Sequence, residues 1–180
     1  MSGEWLIALA GLLAPGDEAI TSSLGQLEVS PSAFLDARPT TRERLWASSA
    51  PERDPSLPWL ALVDLLIDGG HAAELDWKID PGELGFALSA VLDRAGVDGA
   101  TREAIEGIER EETLTVLHLR EAAALLAHTD SIVAVMDIDS DSYIVLLLPR
   151  DRCSTATQIA DAHGFKLRDI RHYDPNAYHE

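Results

Sequence analysis

The sequence predicts an α+β domain: a mixed sheet of about four or more strands, ending in a ββαβ unit, with helices covering it. Three observations predict this. Residues 74–79 alternate polar and apolar side chains without a break. Two further strand-like runs, 132–138 and 143–148, flank a short turn of aspartates and serines. Between the strands lie helical stretches with recognisable start and stop residues. A sheet with helices segregated over it is one of the few ways to bury such faces together.

The elements follow in chain order. The apolar run 5–14 places Trp5, Leu6, Leu9, Leu12 and Leu13 on one helical face. Glu4 precedes it, no basic residue does, and Pro15-Gly16-Asp17 follows, so it reads as a short helix and not as a signal-peptide core. Thr40 and Glu43 have the spacing of a capping box and predict a second short helix. Pro31, Pro39, Pro51, Pro55 and Pro58 punctuate the rest of residues 1–58, an irregular helical part. Residues 59–68 are apolar almost all round, which predicts a helix buried on most sides, closed by Gly69-Gly70 as a left-handed cap.

In the strand at 74–79, Leu75, Trp77 and Ile79 face one way and Glu74, Asp76 and Lys78 the other. Asp80-Pro81-Gly82-Glu83 then supplies a cap, a proline at the first helical position and a reciprocal acid. The helix it opens, 81–95, buries Leu84, Ala87, Leu88, Val91, Leu92 and Ala95. A short helix over 101–110 follows. Another ends near His128 with Leu117, Ala124 and Leu125 inward, although 113–119 would also serve as a strand. Residues 132–138 alternate, and 143–148 are apolar on both faces, which predicts a hairpin whose second strand is central. A helix over 152–163, capped by Asp151 or Ser154 and ended by Gly164, leads to a last strand at 165–170. The core therefore spans 59–171, with a polar tail over 172–180.

The 180 residues suffice for one domain with a sizeable core. One cysteine, Cys153, allows no intrachain disulfide and no cysteine-rich zinc site, which suits a reducing, cytoplasmic compartment. No stretch reaches the roughly 20 apolar residues of a membrane span. Fourteen basic residues stand against thirty-one acidic ones, a net charge of −17. Such a field repels nucleic acid and anionic lipid and favours basic partners, although solubility alone also accounts for it. Among the basic residues only Lys78 and Lys166 are lysine, and with abundant alanine this points to a GC-rich bacterial genome.

The stretch Met136-Asp137-Ile138-Asp139-Ser140-Asp141-Ser142-Tyr143, followed by an apolar strand, a helix and Gly164-Phe165, resembles a family of bacterial domains of unknown function. That family carries an aspartate- and serine-rich hairpin ending Ser-Asp-Ser-Tyr. Leu75-Asp76-Trp77-Lys78 resembles a second shared segment. The resemblance runs from about residue 59 to 171. It implies one α+β domain and supplies no catalytic residues.

Asp137, Asp139 and Asp141 are the first candidates for a site. Alternate aspartates can converge on a hard cation, but Ser142 stands where a calcium loop needs glycine and Leu148 where it needs glutamate. The same residues are the usual ones of a turn, or of an acidic binding surface. Among the histidines, His163 suits a helix C-terminus, His71 follows the glycine cap, His118 and His128 belong to a helical segment, and His172 and His179 lie in the tail. None has the spacing of a hydrolytic zinc motif. Cys153 near a helix start, with His163 or His172, would make a dyad; it equally suits a core position. No nucleophile elbow and no phosphate-binding glycine loop is present. Trp5, Trp46, Trp59 and Trp77 lie in apolar segments and suit core packing, with Trp46 the one contact candidate.

These features favour a non-enzymatic acidic module that binds a basic protein, such as an immunity protein or toxin inhibitor, with no cofactor, nucleic acid or membrane partner. The alternatives are a small metal-dependent hydrolase centred on Asp137, Asp139 and Asp141, or a structural scaffold subunit. The oligomeric state is open.

Overall fold

A computed structural model describes residues 3–80, 83–108 and 114–174 of the chain. The fold class is α+β, and the chain divides into two compact units, Met1–Gly69 and Gly70–Glu180.

The first unit is helical throughout. It contains α1 (Glu4–Leu13), α2 (Glu18–Val29), α3 (Pro31–Ala37), α4 (Pro39–Arg44), a 3-10 turn at Pro51–Arg53, and α5 (Leu57–Asp68). Helix α5 is the centre: α1, α2 and α4 pack against it. Trp59, Leu62, Val63 and Leu66 are buried, as its all-round apolar sequence requires. The left-handed residue of its glycine pair is Gly70, at φ 69°.

Three details of this unit correct the sequence reading. The prolines read as punctuation start helices instead: Pro31, Pro39, Pro51 and Pro58 each occupy a first-turn position, where a missing N–H costs nothing. The Thr40–Glu43 capping box does not form, because α4 already begins at Pro39 and Arg38 is its cap residue, with no side-chain cap bond. Helix α2 was not expected. Asp17 caps it, accepting hydrogen bonds from the Ala19 and Ile20 amides, and Ile20, Leu24 and Leu27 form its buried stripe.

The second unit holds the sheet. Its elements are β1 (Ala72–Asp76), α6 (Glu83–Arg94), α7 (Gly99–Glu106), α8 (Thr115–Leu125) with a 3-10 turn at Leu126–His128, β2 (Ser131–Met136), β3 (Ser142–Pro149), α9 (Arg150–Ala162), β4 (Leu167–Asp169) and a closing 3-10 turn at Ile170–His172. The strand order is β1-β3-β2-β4. Every pair is antiparallel, where a mixed sheet was expected. The reason is the crossover through α9: β4 runs in the same direction as β3, yet β2 lies between them, so no parallel pair is in contact.

Strands β2 and β3 are both internal, and their residues are apolar on both faces for that reason. One face carries Val133, Val135 and Val145 into a core with α6, α7 and α8. The other face, with Ala134 and Met136, lies on the side of α9. There the small buried residues Cys153, Ala156 and Ala160 let the helix approach.

The first strand ends earlier than its alternation suggests. Asp76 accepts a hydrogen bond from the Lys78 amide at 3.0 Å and turns the chain. Leu75 and Ile79 are buried as expected, but Trp77 is 43 % exposed, with the Lys78 ammonium 4.1 Å from its ring centre. The strand-or-helix ambiguity after residue 113 has a physical answer. Leu114 forms one antiparallel bridge with Lys78, and Thr115 starts a helix while bonding back to the Asp76 and Trp77 carbonyls. Helix α8 turns Val116, Leu119, Ala122 and Ala123 inward, whereas Leu117 and Leu125 are half-buried and Ala124 is exposed. Helix α6 keeps Ala87 only half-buried and leaves Ala95 exposed past its end. Helix α7 starts at Gly99, capped by Asp98. Helix α9 starts at Arg150 with Pro149 as its cap residue, so neither Asp151 nor Ser154 caps it. The expected cap residue Asp80 accepts the Glu83 amide on its carbonyl at 3.1 Å, while Pro81, Gly82 and Thr113 lie outside the described residues.

Candidate functional site

The hairpin loop follows directly from the end of the ladder. The last register pair of β2 with β3 is Met136 with Ile144. Beyond it, the Asp137 amide donates to the Lys166 carbonyl at 2.9 Å, and one Asp137 carboxylate oxygen accepts from the Asp139 amide at 2.9 Å. The other carboxylate oxygen lies 4.0 Å from the Lys166 ammonium. Asp139 has φ 55°, a left-handed conformation that aspartate tolerates better than most residues. Ser140 Oγ accepts from the Ser142 amide at 3.1 Å. Strand alternation, which would have set Asp137 and Asp139 on one face, has therefore already ended. Asp137 is half-buried and tied to Lys166, and Asp139 and Asp141 are exposed. Asp137 and Ser140 are occupied in turn chemistry.

Trp46 belongs to the first unit and is 86 % exposed. The chain around it is anchored. Asp64, on the buried face of α5, is 5 % exposed and accepts hydrogen bonds from Thr41 Oγ1 at 2.6 Å and Arg44 Nε at 2.8 Å. Leu45 is buried, and the Trp46 amide donates to the Glu43 carbonyl at 3.1 Å. The indole thus projects from a turn whose neighbours on the N-terminal side are locked down. Asp64 was not singled out from the sequence, although a lone acid within an apolar helix is a signal that it must find a buried partner.

The remaining candidates disperse. Cys153 is 4 % exposed; burial, and then the negative charge of Asp169, push its thiol pKa up, the reverse of what an activated thiolate needs. His163 stands at the exposed end of α9. His172 is exposed, with Nδ1 3.9 Å from Asp169. His71 and His118 are buried, His128 Nε2 lies 3.4 Å from Thr101 Oγ1, and His179 lies outside the described residues. Among the described residues no group of three or more His, Cys, Asp or Glu side chains is gathered closely enough to hold a metal ion. No helix of the described residues is long and apolar enough to cross a membrane.

Several arginines are engaged in ion pairs: Arg38 with Asp68, Arg42 with Asp36, Arg44 with Asp64, Arg168 with Asp161, and Arg171 with Asp169. Arg102 bridges Asp93 and Glu106. The acidic excess is therefore carried by carboxylates for which the chain has too few cations. Phe86, which the sequence reading passed over, is 85 % exposed on α6.

This chain belongs to the family described as a domain of unknown function (DUF6630), whose family model matches residues 6–170. The match takes in both units, reaching further toward the N-terminus than the resemblance at 59–171. No curated protein and no solved structure matches the chain.

Proposed function

We propose that this chain is a non-enzymatic module that binds a basic protein, in the manner of an immunity protein or an inhibitor of a bacterial toxin, and that Trp46 is a contact residue. The observation that carries the reading is the exposure of Trp46 beside a buried ion pair. Tryptophan is the side chain most enriched among residues that dominate binding energy, and a pre-ordered anchor loses little freedom on association. The net charge of −17 supplies the attraction for a basic partner. A lone buried thiol suits a reducing, cytoplasmic setting. The use of Asp137 and Ser140 as turn acceptors counts against a metal-dependent hydrolase centred on the hairpin.

The test is photo-crosslinking in native cells. A photoreactive residue replaces Trp46 in one strain and Val29, which is equally exposed, in another. The reading expects an adduct at position 46 with a protein of high isoelectric point, absent at position 29. The same adducts from both positions, or an acidic protein at position 46, would refute it.

A further inference from the structure

Helix α6 directs Leu84, Leu88, Val91 and Leu92 into the core of the second unit. Phe86 lies roughly 200° around the helix from Leu84 and is 85 % exposed. Trp77 has the Lys78 ammonium over its ring, whereas Phe86 is twice as exposed, 85 % against 43 %.

The surface that carries Phe86 is stiff. A Cβ on the neighbouring Gly85 would lie 2.4 Å from Glu106 Cγ and 2.6 Å from Glu106 Cα, so α6 and α7 meet almost backbone to backbone at this point. Arg102 adds a clasp, bonded to Asp93 of α6 and to Glu106 of α7. Glu83 and Glu103 are exposed on the same two helices. The result is a single large aromatic ring displayed on a clasped pair of helices that carry four carboxylates, Glu83, Asp93, Glu103 and Glu106, against two cations, Arg94 and Arg102.

We infer that the α6–α7 face is a docking surface for a short basic segment of a partner protein, which sets an apolar side chain on Phe86 and its lysines or arginines toward Glu83 and Glu103. Charge decides the occupant: with a net charge of −17 a second copy of this chain would be repelled, whereas a basic segment is attracted. The inference rests on the reading of the partner as basic and extends it to a surface in the second unit.

The experiment is an amide chemical-shift titration of the full chain with a short synthetic peptide of lysine and leucine, alongside a counterpart of glutamate and leucine. The expected result is that shifts from the lysine peptide concentrate on residues 83–94 and 99–106 and that Phe86→Ser weakens binding roughly tenfold. Val29→Ser, an exposed position in the first unit with no part in either surface, should leave this binding unchanged. Shifts scattered over both units, an unchanged affinity in Phe86→Ser, or equal binding of the glutamate peptide would overturn the inference. Shifts at Phe86 that depend on protein concentration without peptide would also overturn it, by making a second copy the occupant. Binding of the lysine peptide at the Trp46 turn alone would sink this surface and leave the basic-partner reading standing; no binding anywhere would count against both.

Discussion

Removing the Asp64 carboxylate should destabilise the first unit more than any surface change in the chain. Asp64 is 5 % exposed and holds Thr41, which is wholly buried, at 2.6 Å and Arg44 at 2.8 Å. The Arg44 side chain is itself only 16 % exposed. In Asp64→Ala a largely buried guanidinium loses this carboxylate, and breaking a buried pair from one side costs about 3–5 kcal/mol. The hydrogen bond from Thr41 to a charged acceptor is worth about 1.5–3 kcal/mol, but it ends on the same carboxylate and does not add in full. We expect a loss of about 3 kcal/mol for Asp64→Ala and about half of that for Thr41→Val. Urea unfolding followed by tryptophan fluorescence and far-ultraviolet circular dichroism measures both. With a slope of about 2 kcal/mol per M, the Asp64→Ala midpoint should fall by about 1.5 M. Asp64→Asn, which keeps the shape and one acceptor, should fall between the two. A midpoint within about 0.3 M of the parent would refute the anchoring of the Trp46 turn by Asp64.

Three further outcomes are expected. Gly85→Ala should lower the thermal midpoint, because the new Cβ would meet Glu106 Cα, a backbone atom, at 2.6 Å; the overpacking cost of about 1–3 kcal/mol outweighs a helix-propensity gain of about 1 kcal/mol, and a higher midpoint would contradict the close crossing. Burial acts to raise the Asp169 carboxyl, but hydrogen bonds from the Arg171 side chain and amide outweigh it and hold the carboxyl below its ordinary value of 3.8. Its contribution to stability is therefore complete above that value and is lost as pH falls through the lower folded value, so Asp169→Asn should flatten the acid limb of stability against pH; an unchanged limb would refute this. Cys153 should react with a disulfide reagent such as DTNB only on unfolding, because its thiol is buried and its pKa raised; rapid stoichiometric labelling of the native chain would argue against its place in the core.

Where local signals agreed with the packing, the fold was legible in the residues. The hairpin strands and α5 are apolar all round because they sit inside, and no other reading of those runs buries them. Gly164, at φ 80°, ends α9 as its position suggested. Trp77 misled because alternation continues past Asp76 in sequence, while the Asp76 side chain turns the backbone out of the ladder. Helix α2 was hidden by Thr21, Ser22, Ser23 and Gly25, weak helix formers between its three buried residues. The mixed sheet became antiparallel because which strand lies beside β4 is a long-range choice that no local pattern records. Trp46 was picked out as a contact candidate from its irregular surroundings, but the turn that displays it depends on Thr41 and Arg44 meeting Asp64, 23 and 20 residues further along the chain.

The most direct test of the account is the salt dependence of association between this chain and the protein crosslinked at position 46. With a net charge of −17 the encounter should be steered, so the on-rate should fall about tenfold or more from low salt to physiological salt, where the Debye length is about 8 Å. The off-rate should change less than about threefold over the same range, and Trp46→Ala should raise it roughly 30-fold, because short-range contacts set it. An on-rate indifferent to salt, or an off-rate unmoved by Trp46→Ala, would contradict the account.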